Sequence, residues 1–210
     1  MRIFLLDTPG LFASVIIGAL VLLFSGAIAI QNFLLLLFFL VISVVATRYK
    51  HEEKKEKGLY EFERGWQNVI SNGIIAALCP VLHFTGWFGA FIGALAGATA
   101  DKFGSELGVL SGKPISLKSL RHVKPGTSGA ISALGTLMTF VGALLIGLLA
   151  YFFFRFDPIQ VFLIALVGFA GALSDTIAGV LEEEGIGNKQ TSNLICTIVA
   201  ALLGMIFLKV

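Results

Sequence analysis

Charge is scarce. Asp, Glu, Lys and Arg make up 13% of the 210 residues, about half the usual share of a soluble domain. A disordered chain is rich in charge and an ordinary cytosolic enzyme is covered with it, so both are excluded. Cysteine is nearly absent too. Cys79 and Cys196 each sit inside an apolar run, which rules out a secreted disulfide scaffold and reads as small apolar filler. There is no Gly-x4-Gly-Lys-Ser/Thr phosphate loop, no Ser/His/Asp set and no Cys/His metal spacing, so hydrolysis and zinc chemistry have no support. The chain is instead 57% hydrophobic, with a mean hydropathy of +0.92. It reads as one integral membrane domain, residues 1–210. The apolar stretch after Arg2 runs on into a full span, so it is read as a first helix and not as a cleavable signal.

The expected fold is all-α, a polytopic transmembrane bundle of about seven spans: 10–29, 33–47, 66–82, 84–103, 128–152, 159–181 and 191–208. The third span carries Gln67, Asn68, Ser71 and Asn72, so six spans plus a re-entrant segment is the alternative. Trp66 and Trp87 suit interfacial belts. With seven spans, all but Arg155 and Lys209 of the 15 Lys and Arg fall on the side of the N-terminus. The positive-inside rule makes that side cytoplasmic, with the C-terminus outside. Segment 48–65 mixes Arg48, Lys50, Lys54, Lys55, Lys57 and Arg64 with Glu52, Glu53, Glu56, Glu61 and Glu63, the pattern of a solvated helix. A substrate-facing Arg64 is the second reading of that segment.

Gly97, Ala98 and Asp101 match Gly171, Ala172 and Asp175 at an offset of 74, and Ala96 matches Ala170. Each aspartate is followed by a Gly-containing polar loop and a Thr-Ser pair, Thr127-Ser128 and Thr191-Ser192. Spans 84–152 and 159–208 therefore read as two parallel copies of one hairpin, with a site between them. Gly93, Gly97, Asp101 and Ser105 share a helix face, as do Gly171, Asp175 and Gly179. Small residues before an acid let helices approach closely and turn the acid inward. Two facing carboxylates suit Mg²⁺, so Asp101 and Asp175 are the candidate metal ligands. Lys124, Gly126, Thr127 and Ser128 form a basic, Gly-rich start to a helix, where free backbone N–H groups favour phosphate. Gly185, Gly187, Asn188 and Lys189 form a similar start for the last span. Asn68 and Asn72 lie one turn apart, suited to a base, a metal-bound water or each other, and Arg121 suits a phosphate clamp.

Together these stretches resemble a known family. Leu34 to Thr47, Arg64 to Gly73, Asp101 to Ser111, Val123 to Ala130, Asp175 with its preceding glycines, and Asn188 to Leu194 are similar, in order, to the integral-membrane phytyl-phosphate kinases. That family includes the eukaryotic transmembrane protein nineteen. The specific core is Asp101, Ser105, Glu106 and Gly108 with Pro125-Gly126-Thr127 downstream. The resemblance implies CTP-dependent, Mg²⁺-requiring phosphorylation of a phytyl- or geranylgeranyl-type isoprenyl monophosphate to the diphosphate. The charge bias places the site at the cytoplasmic face of the cell membrane. The alternatives are a CTP:lipid-phosphate cytidylyltransferase, another prenol kinase, and a secondary transporter.

The expected catalytic residues are Asp101, Glu106 (a base or a partner of metal-bound water) and Lys124. The expected nucleotide and phosphate contacts are Asn68, Asn72, Ser105, Arg121, Gly126, Thr127, Ser128, Asn188, Lys189 and Asn193. The expected partners are the lipid, the nucleotide and the membrane, with no nucleic acid. A homo-oligomer is compatible with the sequence.

Overall fold

Local sequence signals set most helix ends. The computed structural model describes residues 5–59 and 65–208. The first helix, α1 (Thr8–Phe24), opens on Asp7, whose carboxylate accepts from the Gly10 N–H at 2.6 Å, a side-chain N-cap. A 3₁₀ turn, Gly26–Ile28, leads into α2 (Ala29–Arg48). Helix α3 (His51–Glu56) is short, and α4 (Trp66–Leu82) contains Pro80 and ends at His83 in the left-handed region. Helix α5 (Trp87–Gly108) follows. Then come two short strands, β1 (Ile115–Ser116) and β2 (Ala130–Ile131), paired antiparallel with Ile115 opposite Ile131.

Helix α6 (Ala133–Phe154) is capped by Ser132, and Arg155 at positive φ ends it. Helix α7 (Pro158–Glu182) begins with a capping box between Asp157 and Gln160. Helix α8 (Lys189–Phe207) is capped by Asn188.

Helix α5 is the axis of the molecule. It packs against α6, α7 and α8, with α4 and α2 on its remaining side and α1 outside α4. Every residue from Gly89 to Lys102 is buried. Small residues make this packing feasible. A Cβ on Gly89 would lie 2.5 Å from the Leu208 carbonyl, and one on Gly168 would lie 2.8 Å from the Ala96 backbone. These backbones touch because no side chain stands between them. The outer faces of α1, α2, α6, α7 and α8 expose large apolar residues such as Phe12, Val45, Phe152, Phe162 and Ile206, a surface that water would not tolerate. Among the described residues, four segments are long and apolar enough to cross a membrane: Gly26–Arg48, α6, α7 and α8.

Three expectations change. The last five expected spans lie close to α4 through α8, but residues 128–132 are not helical. Thr127 and Ser128 belong to a loop that runs into β2, and α6 starts only at Ala133. Gly126 and Gly129, both at positive φ, turn the chain there. The Thr-Ser pairs of the proposed repeat therefore do not correspond, since Thr191-Ser192 lies inside α8. Gly97 and Gly171, in contrast, face the same stretch of α8, Cys196 and Ala200. Among the described residues of segment 48–65, Arg48 ends α2 and His51–Glu56 form α3, and Lys54 on α3 is fully buried, not solvated. Arg64, Glu61 and Glu63 lie outside the described residues, as do Arg2 and Lys209.

Candidate functional site

The two ends of the bundle differ in chemistry. At the end where α5 begins, Phe88 packs edge-on to Phe154 at 4.8 Å and to Phe156 at 6.2 Å. At the other end the polar residues gather. Asp101 on α5 and Asp175 on α7 are both buried, and Lys189 in the first turn of α8 reaches between them. Its Nζ lies 3.1 Å from Asp175 Oδ2, 3.3 Å from Asp175 Oδ1 and 3.8 Å from Asp101 Oδ1. Two buried carboxylates thus share one ammonium.

Asn193, one turn further along α8, extends the cluster. In the orientation that satisfies both ends of its amide, its nitrogen donates to Asp175 Oδ1 at 3.3 Å and to the Lys189 carbonyl at 3.0 Å. Its oxygen accepts from Asn72 Nδ2 at 2.9 Å. Asn72 also donates to the Asn68 carbonyl at 2.9 Å. The Thr197 hydroxyl lies 3.3 Å from the Ser71 carbonyl, a second link between α8 and α4. The polar face of α4 is therefore joined to the carboxylate pair through α8.

Glu106 heads a second cluster about one turn beyond Asp101. It accepts from the Thr47 hydroxyl at 2.8 Å, and it pairs with Lys54 at 3.2 Å and Lys102 at 3.4 Å. Lys54 Nζ also donates to the carbonyls of Ala46 and Thr47 at the end of α2, at 2.9 and 3.0 Å. A cation suits the last carbonyls of a helix. The structure thus binds Glu106 to two lysines, where a base or a partner for metal-bound water was expected.

A cavity of about 420 Å³ opens beside both clusters, with Asp101, Asp175, Lys189, Ser105 and Glu106 on its wall. The loop that precedes α6 supplies the opposite wall through Gly126, Thr127 and Ser128. This loop is tied to the end of α7. Ser128 donates from its hydroxyl to Glu182 at 2.9 Å and from its N–H to Glu183 at 3.2 Å, and Lys118 pairs with Glu184 at 2.9 Å. The Ser128 N–H, expected to face phosphate, is taken by Glu183 here.

Arg121 and Lys124 are exposed on the loop and are not among the cavity-lining residues. Asn188 caps α8, where its side-chain oxygen accepts from Gln190 and Thr191. Among the expected residues, Asp101, Asp175, Lys189, Asn193 and Asn72 form one connected cluster. Reasoning from sequence missed Lys54, Thr47, Lys102 and Glu182. The only available signal was that Lys102 and Glu106 stand four apart on the helix that carries Asp101.

In outer sequence features the chain has well-defined relatives. The model of the family described as integral membrane protein DUF92 matches residues 1–205. A membrane protein of Methanocaldococcus jannaschii is 40% identical over 207 residues, covering 96% of this chain and 85% of the relative. Protein PGR of Arabidopsis thaliana is 31% identical over 180 residues, covering 70% of this chain and 62% of its own length. A membrane protein of Synechocystis is 27% identical over 167 residues, covering 74% and 60%. No solved structure matches. A family match over almost the whole chain, on a helical bundle with an apolar exterior, means that this protein belongs to the DUF92 family of integral membrane proteins.

Proposed function

We propose that the protein is a membrane phosphotransferase that moves the terminal phosphoryl group of CTP onto an isoprenyl monophosphate. The observation that carries this reading is the pair of buried carboxylates, Asp101 and Asp175, sharing Lys189 on the wall of a cavity. The resemblance of the Asp101–Gly108 and Pro125–Thr127 stretches to phytyl-phosphate kinases supports it. An oxygen of the acceptor phosphate attacks the γ-phosphorus, the bond from that phosphorus to the β-phosphate bridging oxygen breaks, and CDP leaves. The acceptor is already an anion, so no strong general base is needed. The protein's task is positioning and charge neutralisation.

Lys189 supplies a cation on the cavity wall. Its side chain is 41% exposed and lines the cavity, so a phosphate oxygen entering there would meet its ammonium beside the aspartates. Asn193, itself held by Asn72, keeps Asp175 oriented.

The donor set also fits Mg²⁺, which accepts one or two carboxylates and takes its other ligands from water and substrate phosphate. Asp101 and Asp175 would hold the ion, which when bound offsets negative charge on the phosphates. In this reading all seven long helices cross the bilayer, with the N-terminus and the cavity cytoplasmic.

The test is transfer of label from γ-³²P-CTP to geranylgeranyl monophosphate by purified protein. The expected products are CDP and the labelled diphosphate, lost in Asp101→Asn and Asp175→Asn. Release of pyrophosphate instead of CDP would convert the reading to cytidylyl transfer. Full activity in both variants would overturn the assignment of the aspartates.

A further inference from the structure

A second hollow adjoins the polar cavity and differs from it in chemistry. It is an open groove of about 740 Å³ between α6, α7 and the β1–β2 hairpin. Leu137, Phe140 and Phe169 form its apolar surface, and Ile115 and Ile131 of the hairpin form its rim. Ile131, Ser132, Thr136 and Phe169 line both spaces, so groove and cavity are continuous. The joint between them is the first turn of α6. Ser132 caps that turn, and its backbone N–H groups favour an anion at the junction. Lys113 stands on the groove wall at the same end of the bundle. Further along, Phe140 sits 6.4 Å from Phe169 and 6.2 Å from Phe162 in edge-to-face pairs. These rings join α6 to α7 and form an apolar floor.

The path from one end to the other is graded. It starts at two carboxylates and a lysine, passes two hydroxyls and a helix N-terminus, and ends in aromatic rings open to the bilayer side. Leu137, on the groove wall, is 56% exposed, and α6 is one of the helices apolar enough to cross a membrane. A soluble substrate has no use for the apolar half of this path. A two-chain phospholipid would leave its second chain outside a groove that is in the size range of pockets enclosing a single small molecule.

We propose that this groove is the binding site for the tail of a single-chain isoprenyl monophosphate. The phosphate lies at the Ser132–Thr136 junction facing Lys189, and the chain runs over Leu137, Phe140 and Phe169. The proposal rests on the reading of the polar cavity as a phosphate site. It adds a lateral route: the lipid enters between α6 and α7 directly from the bilayer, while the nucleotide enters from the aqueous side.

The experiment is photolabelling of the full-length protein in lipid nanodiscs with a geranylgeranyl monophosphate that carries a diazirine on its tail. Label is expected on the peptides holding Leu137–Phe140 and Phe169–Leu173, and excess unlabelled isoprenyl monophosphate should compete it away. Leu137→Trp, which fills the groove from its exposed side, should lower labelling about tenfold, the effect of about 1.4 kcal/mol in binding. If that variant does not fold, Ile131→Trp on the opposite wall gives the same reading.

Even labelling of all lipid-facing helices would overturn the proposal. So would equal labelling by a phosphatidylcholine carrying the same diazirine, or unchanged labelling in a folded Trp variant. The readout needs no turnover. Groove-specific labelling without phosphoryl transfer from CTP would overturn the kinase reading and leave the groove standing. Transfer without groove labelling would do the reverse.

Discussion

Lys54→Met is the most demanding test of the structure. The lysine is fully buried although it sits on a six-residue helix outside the main bundle. Its ammonium makes three contacts of 3.2 Å or less: two with the last carbonyls of α2 and one with Glu106. Methionine has a similar length and fills the same space, so the substitution removes charge and donors with little loss of packing. Glu106 keeps Lys102 and Thr47, but two buried carbonyls lose their donor. Removing one partner of a buried ion pair costs about 3–5 kcal/mol. The population of the opened state should therefore rise by about two to three and a half powers of ten. Hydrogen–deuterium exchange at 51–56 and at the end of α2 should show this as a local loss of protection, with a fall in thermal midpoint.

The double variant Lys54→Met/Glu106→Gln should be less destabilised than the sum of its parts, by about 0.5–3 kcal/mol. Native exchange rates in Lys54→Met, or strict additivity in the double variant, would refute the claim that this lysine anchors α3 to α2 and α5.

Other expectations concern packing, the polar link and pH. Gly168→Val should destabilise by about 1–3 kcal/mol or more, read by thermal unfolding, because a Cβ there lies 2.6 Å from the Ala143 side chain and 2.8 Å from the Ala96 backbone. Asn193→Leu strips Asp175 of a donor and leaves Asn72 short of an acceptor, at a cost of about 1–3 kcal/mol. Asn72→Leu should then cost less in that background than alone. Glu53 titrates below the usual carboxylate range because Lys57 and then Lys50 hydrogen-bond to it. Its depressed value means that its pairs are intact above the ordinary carboxylate pKa of 4.5 and fade as pH falls through the lower folded value. An NMR titration of the Glu53 carboxyl should place its midpoint below 4.5, and Lys57→Met should raise it.

Much of the helical frame was legible in the sequence because apolar runs and caps are local signals. The spans expected to start at 159 and 191 begin within two residues of α7 and α8, which Asp157 and Asn188 cap. The start of α6 was misread for an equally local reason. Thr127-Ser128 looks like a cap, but two glycines at positive φ beside it turn the chain, and the true cap is Ser132. Two-residue strands are too short for alternation to show. The gathering of Asp101 and Asp175 at one end could be read from their matching place on two helices. Lys189 was expected to bind phosphate, and its position between the two acids depends on how α8 crosses α5 and α7. Lys54 was hidden most thoroughly. A lysine among glutamates looks solvated, and its partner Glu106 lies 52 residues away, a separation that no periodicity reports.

The backbone contacts of α5 bear on how the site can work. Where Gly93 meets Ala200 and Gly89 meets Gly204 and Leu208, no flexible side chain is present to absorb sliding or rotation. The frame that holds Asp101, Asp175 and Lys189 is therefore stiff. The Pro125–Ser128 wall is different, because it is fastened to α7 through hydroxyl, amide and lysine contacts with Glu182, Glu183 and Glu184. Such bonds exchange readily for bonds to water or to a ligand. The molecule thus combines a rigid helical frame that carries the charges with a loop wall held by polar contacts that exchange more easily.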